Sequence, residues 1–303
     1  KDIIFLNPVC THNIWGGTRL NREFGYPIEG DDIGECWGIS AHPNGDGTVA
    51  SGAYKGMKLS ELWEKHPELF GDTGMDRFPL LVKIIDAKDD LSIQVHPDDA
   101  YAKAHENGSL GKTECWFILD CKENATLVVG HNAKTKEELE QMIHEGRWKE
   151  FIREIPIKPG DFIQIDPGTV HAIKGGTLLL ETQQSSDITY RVYDYDRLSN
   201  GKPRQLHITQ SIDVITVPAK SAENSVVHTE KKDDAIQQLI CCPYYTVYRI
   251  DVEHRVETWQ DKPFVLMSVV EGEGTLNGTP LKKGDHLILP DGYGKVELQG
   301  RMQ

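Results

Sequence analysis

Three short stretches carry residues able to hold a metal ion. Leu91-Ser-Ile-Gln-Val-His-Pro-Asp-Asp99 alternates strictly between apolar and polar residues, the periodicity of a β-strand. At period two, Leu91, Ile93 and Val95 share one face and Ser92, Gln94 and His96 share the other. Gly111-Lys-Thr-Glu-Cys-Trp-Phe-Ile-Leu119 alternates as well, putting Lys112, Glu114 and Trp116 on one side. A third polar signal ends Pro167-Gly-Thr-Val-His171. A solvated strand face is the ordinary explanation of any one of these. Together, two histidines, a carboxylate and an amide oxygen from separate strands suit a divalent ion that keeps one coordination position open to substrate. The ligand types permit zinc, iron or manganese.

The elements that must position these residues are short strands and turns with few helices. Glycine and aromatic punctuation, Ile14-Trp-Gly-Gly17 and Gly34-Glu-Cys-Trp-Gly38, marks the N-terminal part. Phe78 to Asp86 reads as a buried strand, and Lys83 in its middle is an expensive core residue unless it meets an anion or reaches solvent. Lys58 to Pro67 has helical spacing through Leu59, Leu62 and Trp63, with Ser60 expected as N-cap. Asp98 to Gly108 reads as a helix begun by aspartate and ended by Asn-Gly. A helical insertion is expected over 134–154, as two short helices broken near Gly146.

Two passages share one grammar: Ile157-Lys-Pro-Gly-Asp-Phe-Ile-Gln-Ile-Asp-Pro-Gly and Leu281-Lys-Lys-Gly-Asp-His-Leu-Ile-Leu-Pro-Asp-Gly292. Both look like the second half of a cupin jelly roll, an internal repeat. In the second copy the metal histidine's place falls near Tyr293 to Lys295, so that module is expected to be metal-free. A boundary is expected in the polar stretch Pro218 to Asn224, giving an N-terminal catalytic domain over 1–219 and a C-terminal domain over 220–303.

Composition narrows the partners. The chain has 303 residues, 38% of them hydrophobic, and a formal net charge of −14. So acidic a surface argues against nucleic acid and anionic membranes, while a few converging cations still permit a small phosphorylated ligand. Six scattered cysteines without a CxxC pair point to reduced thiols. No signal peptide or long apolar run stands out, so a cytoplasmic location is expected.

The Ser-Ile-Gln-Val-His-Pro-Asp run, Lys112-Thr-Glu114, Val-His171-Ala and Ser186-Asp-Ile-Thr-Tyr-Arg191 closely resemble type I mannose-6-phosphate isomerases in their short bacterial form. The resemblance covers essentially the whole chain, with the motifs in order. It implies a mainly β fold of two cupin-type jelly-roll modules with a small helical insertion. It implies one Zn2+ per chain, held by Gln94, His96, Glu114 and His171. Lys112, Asp187 and Arg191 would surround the reacting carbons, Lys83 and Ser92 would hold phosphate, and Trp15 would line the pocket. The metal's charge would depress the Lys112 pKa and suit it to proton transfer. Gly111 stands where some family descriptions place a histidine. The implied reaction interconverts mannose 6-phosphate and fructose 6-phosphate through an enediol, in a monomer or weak homo-oligomer whose partner is a phosphosugar. Two rivals use the same residues differently. An iron oxygenase would consume oxygen, and a non-catalytic sugar-binding cupin would show no turnover.

Overall fold

The computed structural model describes residues 1–223 and 225–303 and divides into two compact units. One comprises Lys1–Thr11, Thr18–Ile84 and Glu230–Gln303; the other comprises His12–Gly17 and Ile85–Thr229. This division differs from a single cut between 219 and 220. The anticipated boundary stretch ends on Asn224, which lies outside the described residues. The reason the first unit takes in both ends of the chain is strand pairing. Ile4–Asn7 is antiparallel to His286–Leu289, with Phe5 opposite Leu287, and so completes a sheet that the C-terminal residues begin.

The first unit is β-rich. Val265–Ser268, His286–Leu289, Ile4–Asn7 and Thr48–Val49 form one sheet in that order, and Arg255–Gln260, Gly294–Met302, Gly272–Leu276 and Thr279–Lys282 form another. Between them lie Val256, Leu276, Leu281, Leu287, Leu289, Val296 and Leu298. The helix Leu59–Lys65 forms where its apolar spacing predicts, but its N-cap is Lys58 rather than Ser60. Ser60 sits in the first turn, where its amide and hydroxyl both meet the Asp46 carboxylate; Asp46 thus supplies from a distant loop the acceptor that a capping side chain would offer.

The second unit is a two-sheet sandwich. Val226–His228, Asp161–Ile165, Glu114–Cys121 and Thr177–Gln184 lie side by side in one sheet. Tyr190–Tyr193, Ile93–Val95, His171–Ala172, Thr126–His131 and Ile152–Pro156 form the other. Alternation sorts the residues of the second sheet. Leu127, Val129 and Ile155 join Trp116, Ile118, Ile163, Ile165 and Leu179 inside the sandwich. Ile93, Val95, Val128, Ala172, Tyr190 and Val192 instead turn outward against Leu139, Met142, Ile143 and Phe151. Those four come from the insertion, which folds as helices Lys136–His144 and Trp148–Phe151 with Gly146 at φ 64° between them. The helices bury the apolar face of Ile93–Val95, so its polar face must point into the sandwich rather than to solvent.

The short helix Asp99–His105 begins as expected. Asp98 caps it, its carboxylate accepting from the Tyr101 amide at 2.8 Å, and Asn107 and Gly108 follow at positive φ. No helix among the described residues is long and apolar enough to cross a membrane.

Candidate metal centre and active site

Register brings the polar residues together. Gln94 is opposite His171 on one side and Arg191 on the other, so these three residues lie in one row across adjacent strands. His171 is also opposite Val129, a residue of the interior, which fixes the row on the inner face. In the facing sheet Glu114 is opposite Gln183 and Ile165, again an inward position. Along Glu114, Trp116 and Ile118, and likewise along Gln183, Glu181 and Leu179, the interior passes from polar at one end to apolar at the other.

At the polar end, Nε2 of His96 lies 3.3 Å from Oε2 of Glu114, and Nε2 of His171 lies 3.3 Å from Oε1. Ligand atoms of these three residues lie within 4.8 Å of one another, and all three side chains are buried. The other nitrogen of each ring explains its orientation. His96 Nδ1 donates to the Ile188 carbonyl at 2.9 Å and His171 Nδ1 to the Thr169 carbonyl at 2.9 Å. A carbonyl only accepts, so the ring proton sits on Nδ1 and the Nε2 lone pair faces the centre. Metal-binding imidazoles are held in this way.

Electrostatics agrees. Burial, aided by the Lys112 charge, pulls His96 down to about 3, and burial also lowers His171 despite the opposing pull of Glu114. Burial works against the Glu114 charge, yet Lys112 and the two histidines hold it well below the usual carboxylate range. Two neutral imidazole lone pairs and an ionised carboxylate therefore converge. Such acceptors repel one another unless a cation lies among them. Glu114 Oε2 has no well-aligned hydrogen bond, although Lys112 Nζ is 3.2 Å away. Two imidazole nitrogens and a carboxylate oxygen are the donor set of a divalent transition ion, so the residues present fit a metal.

Lys112 flanks this group, with Nζ 3.3 Å from His96 Nε2 and 3.9 Å from Glu181 Oε1. Its backbone amide is anchored on the Pro97 carbonyl at 3.0 Å. Gly111 before it has a physical reason to be glycine: a Cβ there would stand 2.4 Å from backbone atoms of Asp98 and Asp99. Its amide donates to Asp99 Oδ1 at 2.8 Å, closing the lysine loop onto the first turn of the helix.

The remaining expected residues are less uniform. The Gln94 amide nitrogen is 3.4 Å from His171 Nε2, while its oxygen accepts from Ser92 Oγ at 3.3 Å. Arg191 is half-buried; it donates to the Gln205 carbonyl at 2.9 Å, and its Nε is buried without a hydrogen bond. Asp187 is exposed, in the loop whose Ile188 carbonyl orients His96. Trp15 is 3% exposed and packs within the apolar interior. Lys83 is buried in the first unit, Nζ 3.3 Å from Glu35 Oε1 and over the Trp37 ring.

Sequence reasoning missed Glu181 and Gln183. Both are buried on the inner face; Gln183 Nε2 donates to the carbonyls of Gln184 and Ser186 and its Oε1 is left without a partner. The signal was there in Leu179-Leu-Glu181-Thr-Gln183, where polar residues continue an apolar alternation. Also missed was buried Asp194, which binds Arg197 and Arg204 at 2.7 and 2.6 Å just beyond Arg191.

Comparison with known proteins places the chain. Residues 3–119 match the phosphomannose isomerase type I catalytic domain, and residues 235–303 match the mannose-6-phosphate isomerase cupin domain. The chain is 52% identical over 302 residues to mannose-6-phosphate isomerase ManA of Bacillus subtilis strain 168, covering 98% of this chain and 96% of that protein. The crystal structure of the mannose 6-phosphate isomerase from Bacillus subtilis superposes with a TM-score of 0.95 at 50% identity, covering 100% of this chain and 98% of that one. A zinc-bound mannose 6-phosphate isomerase shares the fold at 16% identity, with a TM-score of 0.78 over 100% of this chain and 98% of the other. At half-identity over nearly its full length to a relative of that kind, the chain belongs to the type I phosphomannose isomerase family.

Proposed function

We propose that this chain is a zinc-dependent aldose–ketose isomerase that interconverts mannose 6-phosphate and fructose 6-phosphate through an enediol, with one Zn2+ per chain. The observation that carries this reading is the convergence of His96 Nε2, His171 Nε2 and the Glu114 carboxylate beside the Lys112 ammonium. The relatives' names supply the substrate. His96, Glu114 and His171 would hold the ion, with Gln94 as a further oxygen donor once its amide is turned. When bound, zinc supplies a Lewis acid for a sugar oxygen on which negative charge grows.

The chain's own groups do the rest. Lys112, beside the carboxylate and within reach of the same space, moves the proton that leaves C2 and reappears at C1. Arg191, in the same row as Gln94 and His171, stabilises the oxyanion of the enediol. Asp187 assists at the rim, from the loop that orients His96. Ser92 and Lys83 are the proposed phosphate contacts. The burial of Glu114, His96 and His171 keeps bulk water from competing for these interactions.

The C-terminal module, read as residues 220–303 after a catalytic 1–219, is proposed to be metal-free. His286 there has both ring nitrogens engaged, by Ser268 Oγ and by Tyr26 OH at 2.8 Å each. A cytoplasmic monomer or weak homo-oligomer completes the reading. The test is a paired measurement on purified protein of metal content and of mannose 6-phosphate conversion to fructose 6-phosphate. Stoichiometric zinc with turnover that chelation abolishes is expected; fully metal-loaded protein without turnover would contradict it.

A further inference from the structure

The first unit holds a cluster of reactive side chains that the isomerisation does not use. Cys10, on the strand Val9–Gly17, and Cys36, on the neighbouring strand Ile33–Ile39, bring their sulfurs to 2.7 Å. Both are free thiols. Non-bonded sulfurs seldom come so near, and a disulfide bond of about 2.05 Å requires less than about 1 Å of further approach. The other cysteines have different partners. Cys115 and Cys121 face backbone carbonyls, and Cys241 faces the Thr246 hydroxyl.

The pair is asymmetric. Cys10 is partly exposed, whereas Cys36 is completely buried behind it. Cys36 also meets the hydroxyl of buried Tyr26, which lies 3.0 Å from the Gly284 carbonyl and 2.8 Å from His286 Nε2. His286 Nδ1 in turn meets Ser268 Oγ at 2.8 Å. Gly38, two residues along the strand from Cys36, lets this chain of polar groups pack close, since a Cβ there would lie 2.3 Å from the His286 ring. One thiol is thus reachable, and the second is held against it by a buried hydrogen-bonded scaffold.

We propose that Cys10 and Cys36 are a reversible redox site, closing to a disulfide when the protein meets a peroxide or a small-molecule disulfide. With hydrogen peroxide, the Cys10 thiolate attacks one oxygen and the O–O bond breaks; the sulfur becomes a sulfenic acid, and the departing hydroxide takes up the proton that the Cys10 thiol gave up and leaves as water. The Cys36 sulfur then attacks Cys10 Sγ; the S–O bond breaks, the S–S bond forms, and the departing hydroxide takes up the Cys36 proton as a second water. Two thiols are oxidised and one peroxide is reduced to two waters. A dithiol reductant reverses the change.

The experiment uses the reduced, full-length, metal-loaded protein, treated with hydrogen peroxide or oxidised glutathione, quenched by alkylation and mapped by peptide mass. The expected result is a Cys10–Cys36 linked peptide as the main product, two hydrogens lighter and restored by dithiothreitol. It should form at least tenfold faster than Cys115 or Cys121 loses its free thiol. In Cys10→Ser protein, Cys36 should remain alkylatable once the chain is unfolded for labelling. Recovery of Cys10 as a sulfinic acid or a glutathione mixed disulfide with Cys36 still free would overturn the proposal. So would linkage that proceeds as fast in the urea-unfolded chain, because the fold would then contribute nothing.

Discussion

Two buried histidines in repeats of one sequence grammar meet opposite fates. His286 follows Gly284-Asp285 directly, and hydroxyls of Ser268 and Tyr26 engage both its nitrogens, so its ring closes a hydrogen-bonded chain. His171 stands at the end of the strand and turn that follow Gly160-Asp161. A carbonyl fixes one of its nitrogens, while the other faces the Glu114 carboxylate. A hydroxyl can donate or accept as the ring requires, whereas a carboxylate can only accept. Burial alone therefore does not leave a ring nitrogen available to a metal. The partner on the second nitrogen decides it.

The largest effect should come from removing a ligand. His171→Ala should lose bound zinc and lower turnover about a thousandfold or more, since a metal contributes several kcal/mol of charge stabilisation and each 1.36 kcal/mol is a tenfold change. Metal analysis beside steady-state kinetics checks this, and stoichiometric zinc with ordinary turnover would break the contrast with His286. Next, Lys112→Met and Arg191→Ala should keep the metal but lower kcat by roughly a hundredfold or more, the usual worth of positioned acid–base and oxyanion groups. An unchanged kcat in either would remove that residue from the chemistry.

The contrast can be sharpened by pH at the His286 end. Burial holds that ring down to about 4, against an unfolded value of about 6.5. Between those values the unfolded chain binds the proton and the folded one does not, so stability rises with pH there and is lost as pH falls from about 6.5 towards 4. Roughly 3 kcal/mol is at stake from this ring. Denaturant unfolding at a series of pH values should give a shallower slope in this window for His286→Gln than for the wild type; equal slopes would refute the assignment. The smallest expected effect is at Lys83. Lys83→Met should raise KM about tenfold, or about 1.4 kcal/mol of charge-assisted binding, with kcat nearly unchanged. An unchanged KM would return Lys83 to its ion pair with Glu35 alone.

Much of this was legible in the sequence because strand periodicity is local. The alternation around His96 and Glu114 gave their faces, Asp98 announced its helix, and the break in the helical insertion fell at Gly146. What alternation leaves open is which face points inward. Ser92, Gln94 and His96 turned out to be the inner face because the inserted helices cover Ile93 and Val95, a tertiary fact. The pairing of Ile4–Asn7 with His286–Leu289 joins the two ends of the chain, and local pattern cannot specify it. Ser60 lost its cap role to Asp46 for the same reason. Glu181 was hidden because a carboxylate after a leucine run reads as the end of a strand, whereas here the strand continues to Gln184.

The most direct test of the central claim is anomalous scattering at the zinc edge from crystals of the zinc-loaded protein. One strong peak among His96 Nε2, His171 Nε2 and the Glu114 carboxylate, with no peak at His286, is the predicted result. A peak at His286, or none at the His96–Glu114–His171 group in protein that turns over mannose 6-phosphate, would contradict it.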